Sequence, residues 1–417
     1  MTKQNSKKIS HEIKDVLYLV ALRGLNYIAP LLVFPYLMKV LGAEKFGYIG
    51  FSLSVMMYLM LIVDFGFNLS ATKRIALAKD NQNELNNIFT ATLYAKVVLL
   101  AISLLVLLVF AAVPRFEIYR KTMFIMFPMV VGNAFTFVWL FQGLGQIRFI
   151  SIFNVISKLS ILPLTFIFVK TADDYLIGAF LQSFVVVFTM LISIVYIVKK
   201  RWVSISAFIK KNVVFELKDS FPIFLSSAAI SIYMASFVIA LGYFSTSEEV
   251  GQYSAVDKIM RAFCMLVWAP VSQAFYPKIT RMGAENKAKA IKLVRKLLLL
   301  VCVCMFIVLL AMFFLSPYLV DFLGKDYQNS LHLFRIMAFA PIFIGCGGVV
   351  AQLGILALGD TIDKRNYQRV YLIAGIVALC CIFVGIPLFG ATGAAVSLLL
   401  TEIVVCIMML LYGRKFL

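Results

Sequence analysis

The sequence has little charge. Of 417 residues only 14% are Asp, Glu, Lys or Arg, while 62% are hydrophobic. Soluble domains carry about a quarter charged residues and roughly half apolar ones, so a water-soluble globular protein is excluded. Histidine is scarce too: the two present, His11 and His332, have no partner at metal or catalytic-triad spacing. No HExxH, P-loop or GxSxG pattern occurs, which removes the common hydrolases and any ATP hydrolysis by this chain. Long polar tracts are missing, so there is no soluble domain of useful size and no platform for glycosyl transfer on a loop. The seven cysteines all fall in apolar runs, without zinc-site spacing, and read as small apolar fillers. No metal and no cofactor is called for. The first apolar run, from Val16, lacks a small-residue cleavage site and reads as a span rather than a signal peptide.

What the chain does have is apolar runs. A helix crossing a ~30 Å hydrocarbon core needs about 20 mostly apolar residues. About twelve such runs follow one another, from 16–38 and 47–65 to 368–389 and 392–412. Many contain proline (Pro30, Pro35, Pro128, Pro163, Pro222, Pro270, Pro341), which membrane helices tolerate where neighbours re-satisfy the freed carbonyl. With the N-terminus on one side, 26 of the 39 Lys and Arg lie on that side and 7 on the other. The positive-inside rule makes the basic side cytoplasmic and puts both termini there. It also accounts for the net charge of +19 without nucleic acid.

The expected fold is all-α and integral to the membrane, with about twelve helices in two six-helix lobes. The N-terminal lobe spans 1–198, a linker 199–217 and the C-terminal lobe 218–417. Within the linker, Ile205, Phe208, Ile209 and Val213 have the spacing of an amphipathic helix on the membrane surface. An internal repeat supports the lobes: Gly47 aligns with Gly251 and Arg74 with Lys278, both 204 residues apart, and PMVVG (Pro128–Gly132) aligns with PIFIG (Pro341–Gly345) at 213. An even number of spans per repeat gives both halves the same orientation, hence a pseudo-two-fold axis along the membrane normal and a site between the lobes.

Charges inside spans are costly and face the bundle interior or water. They are Arg23, Asp64, Lys96, Lys158, Asp257, Lys258, Arg261, Arg335 and Glu402, six basic and three acidic. An excess of intramembrane cations implies an anionic passenger. Asp64 and Arg335 lie near span ends and read as boundary residues. Lys96 either snorkels or lines a cavity. Arg23 shares a polar stripe with Asn26, Tyr27 and Pro30, which favours an inward face. Lys158 and Glu402 both fall at mid-span and either pair with one another or serve the passenger. Asp257 and Arg261 are four apart and can pair. Lys258 is then one base too many, and the segment keeps a positive charge that suits a cavity wall.

The segment Leu37–Ala76 resembles the first-repeat signature of Wzx-type polysaccharide flippases, through LGAEKFG (Leu41–Gly47) and DFGFNLSATKRIA (Asp64–Ala76). VGQYSAVDKI (Val250–Ile259) and FLGKDYQNSLHLFRIMAF (Phe322–Phe339) are similar to the second repeat. The superfamily also holds MATE-type multidrug antiporters and the lipid II flippase. The resemblance covers essentially the whole chain. It implies a MATE-like bundle whose central cavity is lined chiefly by spans one, two, seven and eight. It implies transport of undecaprenyl-diphosphate-linked oligosaccharide of O-antigen or capsule type from the cytoplasmic to the periplasmic leaflet of a bacterial inner membrane. Membrane lipids and polysaccharide assembly proteins are the implied partners, and a proton or sodium gradient the implied drive. By position Arg23, Lys258 and Arg261 match the family's cavity cations, with Lys158 and Lys96 as further candidates. Asp257, Glu402 and Asp64 are the candidate coupling or counter-ion residues. The chain departs from the pattern in span two, which has no mid-span base, and in span seven, which offers only Ser226, Ser227, Ser231 and Ser236. A MATE-like drug or cation antiporter is the alternative and calls for an acidic cavity. A polysaccharide polymerase or glycosyltransferase calls for a large outer loop.

Overall fold

The structure, a computed structural model, describes the backbone of residues 3–417 and the side chains of residue 30 and of 32–417 apart from 226, 229, 230, 232 and 233. Arg23 therefore has its side chain outside the described residues, as does Ser226. Among the described residues every regular element is helical. Seven stretches are long and apolar enough to cross a bilayer, and an eighth is a bent pair.

Breaks in the backbone resolve these stretches into membrane helices. The helix Lys3–Asp64 is interrupted at Gly42, whose φ of 71° is a conformation that a Cβ would disfavour. It separates α1 (3–41) from α2 (43–78), and α2 itself turns at Phe65 and Gly66. Then come α3 (Gln82–Ala112), α4 (Pro114–Gly143), α5 (Ile147–Phe168) and α6 (Tyr175–Lys200). The second half has α7 (Lys210–Phe244), α8 (Ser247–Glu285), α9 (Lys287–Leu323) and α10, a pair of segments Lys325–Met337 and Ala340–Leu356 bent by 42°. Gly390, at φ 53°, divides the last stretch into α11 (361–389) and α12 (391–412). Side-chain caps start several helices: Asn81 for α3, Thr246 for α8, Asn286 for α9 and Asp360 for α11. Each satisfies an N–H that the first turn leaves open.

The repeat is visible in how the helices break. In α4 a new segment starts with Pro128, and in α10 one starts at Ala340 with Pro341 in its first turn. Proline suits that position because its missing N–H had no helical partner. These are the prolines that the 213-residue offset relates. The two lobes meet where α2 crosses α8, at the end away from the basic loops. Gly47 and Gly251, the pair related by 204 residues, lie against one another there. A Cβ on Gly47 would collide with the Ser247 carbonyl oxygen, and one on Gly251 with that of Ala43. The same end is tied by Glu249, whose carboxylate accepts from the Ala391 N–H at 3.0 Å and so caps α12.

One expected element is absent as such. Residues 202–209 are extended, and the helix begins only at Lys210, running on without a break as α7. The extended piece hydrogen-bonds to side chains of α3: Ser204 N–H donates to Asn86 Oδ1 and Ser206 N–H to Thr90 Oγ1, both at 2.9 Å. That alternation orients Ile205 and Ile209 outward, where both are exposed, while the Phe208 ring packs edge-on against Tyr94 of α3. The helical spacing of apolar residues there was coincidental with a two-residue period.

The main core runs through both lobes, around Phe46, Phe51, Tyr119, Tyr253 and Phe334. The outward-facing surface is lined by Leu105, Val109, Leu299, Phe314 and Phe383. In water such a belt would drive aggregation; in hydrocarbon it is the expected covering.

Candidate functional site

A cavity of about 510 Å³ lies between the lobes, within the range that holds organic ligands. Four helices supply most of its wall: Phe34 and Met38 from α1, Ser54 and Met57 from α2, Met234 from α7, and Asp257, Lys258 and Arg261 from α8. The end of α9 adds Leu319, Phe322 and Leu323. Gly50 and Ser254 line it as well, one turn from the Gly47–Gly251 contact, so the cavity sits directly beneath that closure.

The three charges of α8 sit in this wall for a geometric reason. Val256, Ile259 and Met260 are buried in the core, which turns the 257–258–261 face toward the gap between lobes. Asp257 grips Arg261 through both oxygens, with Nε at 2.8 Å from Oδ1 and 3.0 Å from Oδ2. Lys258 takes no carboxylate among the described residues. Its ammonium stands 4.3 Å from the ring centroid of Phe34, a cation–π contact across the lobe boundary. Phe34 escaped the sequence reading. It extends the stripe of Asn26, Tyr27 and Pro30 by one turn, and that continuation was the available signal.

The other intramembrane charges lie elsewhere. Lys96 does not line the cavity: it is 1% exposed, and its Nζ is 3.4 Å from Asp64 Oδ1. Asp64 is thus the counter-ion of Lys96, held where α2 turns at Phe65. Lys158 is absent from the central cavity too and lines a smaller one inside the first lobe. No ion pair joins it to Glu402 among the described residues. Glu402 is 4% exposed and lies on α12, the helix whose first turn Glu249 of α8 caps. A further pair, Arg74 of α2 with the fully buried Glu216 of α7, joins the lobes near the basic face. Sequence reasoning missed it, because Glu216 lies in what looked like a surface linker.

Among the described residues, those that face the cavity can hold an anion by a guanidinium whose Nε the Asp257 carboxylate grips and by one ammonium without an acid partner. A nucleophile–base–orienter arrangement is absent from its lining, and among the described residues no group of three or more His, Cys, Asp or Glu could hold a metal ion.

The family model for polysaccharide biosynthesis proteins matches residues 13–283. Two curated proteins named "Putative O-antigen transporter" are similar over nearly their whole length. The one from Escherichia coli (strain K12) is 34% identical over 99% of this chain and 98% of its own. The one from Shigella dysenteriae is 31% identical over 95% and 98%. Among solved structures, the lipid II flippase MurJ in an inward closed conformation superposes with a TM-score of 0.75 at 13% identity, covering 95% of this chain and 87% of that one. An inward-facing multidrug resistance MATE family transporter of the MOP superfamily gives 0.73 at 14% identity, covering 95% and 97%. An outward-facing structure described in the same words gives 0.61 at 15%, covering 96% and 95%. These likenesses establish the fold.

Proposed function

Since this chain belongs to the polysaccharide biosynthesis protein family, we propose that it flips a lipid-linked polysaccharide precursor, an undecaprenyl-diphosphate-linked oligosaccharide repeat unit of O-antigen or capsule type. It is a multi-pass membrane transporter and not an enzyme. In this reading the membrane is the bacterial inner membrane, the basic face with both termini is cytoplasmic, and the unit moves to the periplasmic leaflet by alternating access of the two lobes.

The observation that carries the reading is the ammonium of Lys258, at the lobe boundary without a carboxylate partner among the described residues and beside the Asp257–Arg261 pair. A diphosphate carries roughly two negative charges, and Arg and Lys engage phosphate oxygens as a fork and as a point charge respectively. The lipid tail stays in the bilayer, so only the polar head needs a wet, cationic passage. A cation antiporter would need the opposite sign in this wall. In this reading the Gly47–Gly251 contact closes the cavity on the periplasmic side.

Coupling is assigned to Glu402 with Asp257. Asp257 grips Arg261, and a proton or sodium ion that takes this carboxylate releases the guanidinium, with the buried Glu402 as the second carboxylate of the same lobe.

The test is export in a strain lacking its own O-antigen transporter. Lys258→Ala and Arg261→Ala each lower surface polysaccharide at least about tenfold, the loss of one charge-assisted contact, while insertion is unchanged. Full complementation by both single variants and by the double variant would remove the cavity assignment. In proteoliposomes Glu402→Gln abolishes the response to an imposed pH gradient; an undiminished response removes Glu402 from coupling.

A further inference from the structure

A second cavity, of about 180 Å³, lies within the first lobe behind α1. Among the described residues its lining has two polar side chains, Lys158 of α5 and Gln182 of α6, and no carboxylate. The rest is apolar: Pro30, Val33 and Phe34 of α1, Met129 of α4 and aliphatic residues of α5 and α6. Gln182 is only 9% exposed, and its Nε2 is buried with no hydrogen-bond partner among the described residues. Lys158 has no hydrogen bond or ion pair among them either.

Two N–H donors, one of them charged, thus line one apolar cavity, where the acceptor among the described residues is the Gln182 amide oxygen and no carboxylate is present. Gln182 is buried and Lys158 half-buried, and such donors are costly unless something accepts from them. Water would accept the hydrogen bonds but leave the charge uncompensated. The size narrows the choice further. The cavity equals the share of roughly six waters and is well below the ~300 Å³ at which drug-sized pockets begin. A sugar diphosphate does not fit; a halide or a single carboxylate does.

We propose that this chamber is a site for one small monovalent anion, held between the Lys158 ammonium and the Gln182 amide and separate from the central cavity. Pro30 and Phe34 form the partition, since both line both cavities. Phe34 carries Lys258 over its ring and has the Lys158 chamber behind it. An anion there offsets the repulsion between the two ammonium groups across a wall one side chain thick. Through that wall its occupancy and that of the central cavity are linked, and the linkage is reciprocal. Chloride in solution and a carboxylate carried on a glycan offer the same chemistry.

The experiment uses the full-length protein in detergent, exchanged into the salt of a bulky sulfonate buffer anion, and titrated with chloride while chloride NMR line broadening is followed. Wild type shows saturable broadening. Lys170→Met, at an exposed lysine that lines neither cavity, keeps it, and Lys158→Met and Gln182→Leu weaken the apparent affinity at least about tenfold. Displacement of chloride by acetate supports the site with carboxylates as a second source; failure of acetate to displace it supports a halide site. Absence of saturable broadening in wild type overturns the proposal, as does unchanged affinity in Lys158→Met. Should Lys158→Met not fold, unchanged affinity in Gln182→Leu overturns it alone. The readout is binding, so its failure leaves the flippase reading standing, and loss of that reading leaves the anion site testable.

Discussion

Lys96 is 1% exposed and its ammonium lies 3.4 Å from Asp64, so each charge depends on the other. Deleting one half of a buried pair leaves an uncompensated charge and costs about 3–5 kcal/mol. Asp64→Asn, which strands the buried Lys96 ammonium, should therefore lower the thermal midpoint in detergent sharply, while Lys96→Met with Asp64→Asn should recover most of the loss. Export per folded molecule should stay at the wild-type level in the double variant, because neither residue lines the central cavity; a double variant that folds normally yet fails to export would give the pair a transport role. Residues of this kind show how far single positions were legible. A charge in an apolar run announces itself, and all three on α8 were found that way, together with the i, i+4 pairing of Asp257 and Arg261. Which distant group each charge meets was not legible. Lys96 reaches Asp64 only because α2 turns at Phe65 and Gly66, and Lys158 and Glu402 sit at similar depth in different lobes.

At the scale of elements, the helices were readable and their interruptions were readable in part. Twelve apolar runs follow from the ~20-residue requirement of the bilayer. The prolines at 128 and 341 mark where α4 and α10 are re-started, one in each repeat. The stretch 202–209 was misread because a short run of mixed apolar and polar residues fits two periods at once, and the acceptors that decide between them, Asn86 and Thr90, lie on another helix. Glu216 was lost with it: once α7 is known to begin at Lys210, that carboxylate falls on a helix that packs against α2, where Arg74 meets it. The cavity-lining helices α1, α2, α7 and α8 came from the family resemblance, and periodicity alone could not have chosen them from twelve similar runs.

For the whole molecule the decisive feature is that symmetry-related residues touch. Residues related by a two-fold axis meet only at the axis, and Gly47 and Gly251, 204 apart in sequence, lie against one another there. One turn further in, a Cβ on Gly50 would stand 2.9 Å from the Cβ of Ser254, again a pair related by 204. Alternating access requires this end to part, since the cavity below it must open to the other side of the membrane. Replacing both by cysteine, in a background without the seven native cysteines, puts two Cβ atoms slightly inside the ~3.5–4.5 Å of a disulfide, so a small outward adjustment suffices. Oxidised Gly50→Cys/Ser254→Cys protein should be locked closed at this end, with export in the transporter-null strain reduced to background and restored by a membrane-permeant reductant. Each single cysteine variant should export normally under the same oxidant. If the cross-linked protein exports at the wild-type rate, the lobes do not separate at α2 and α8, and the passenger must leave by a route that keeps this contact intact.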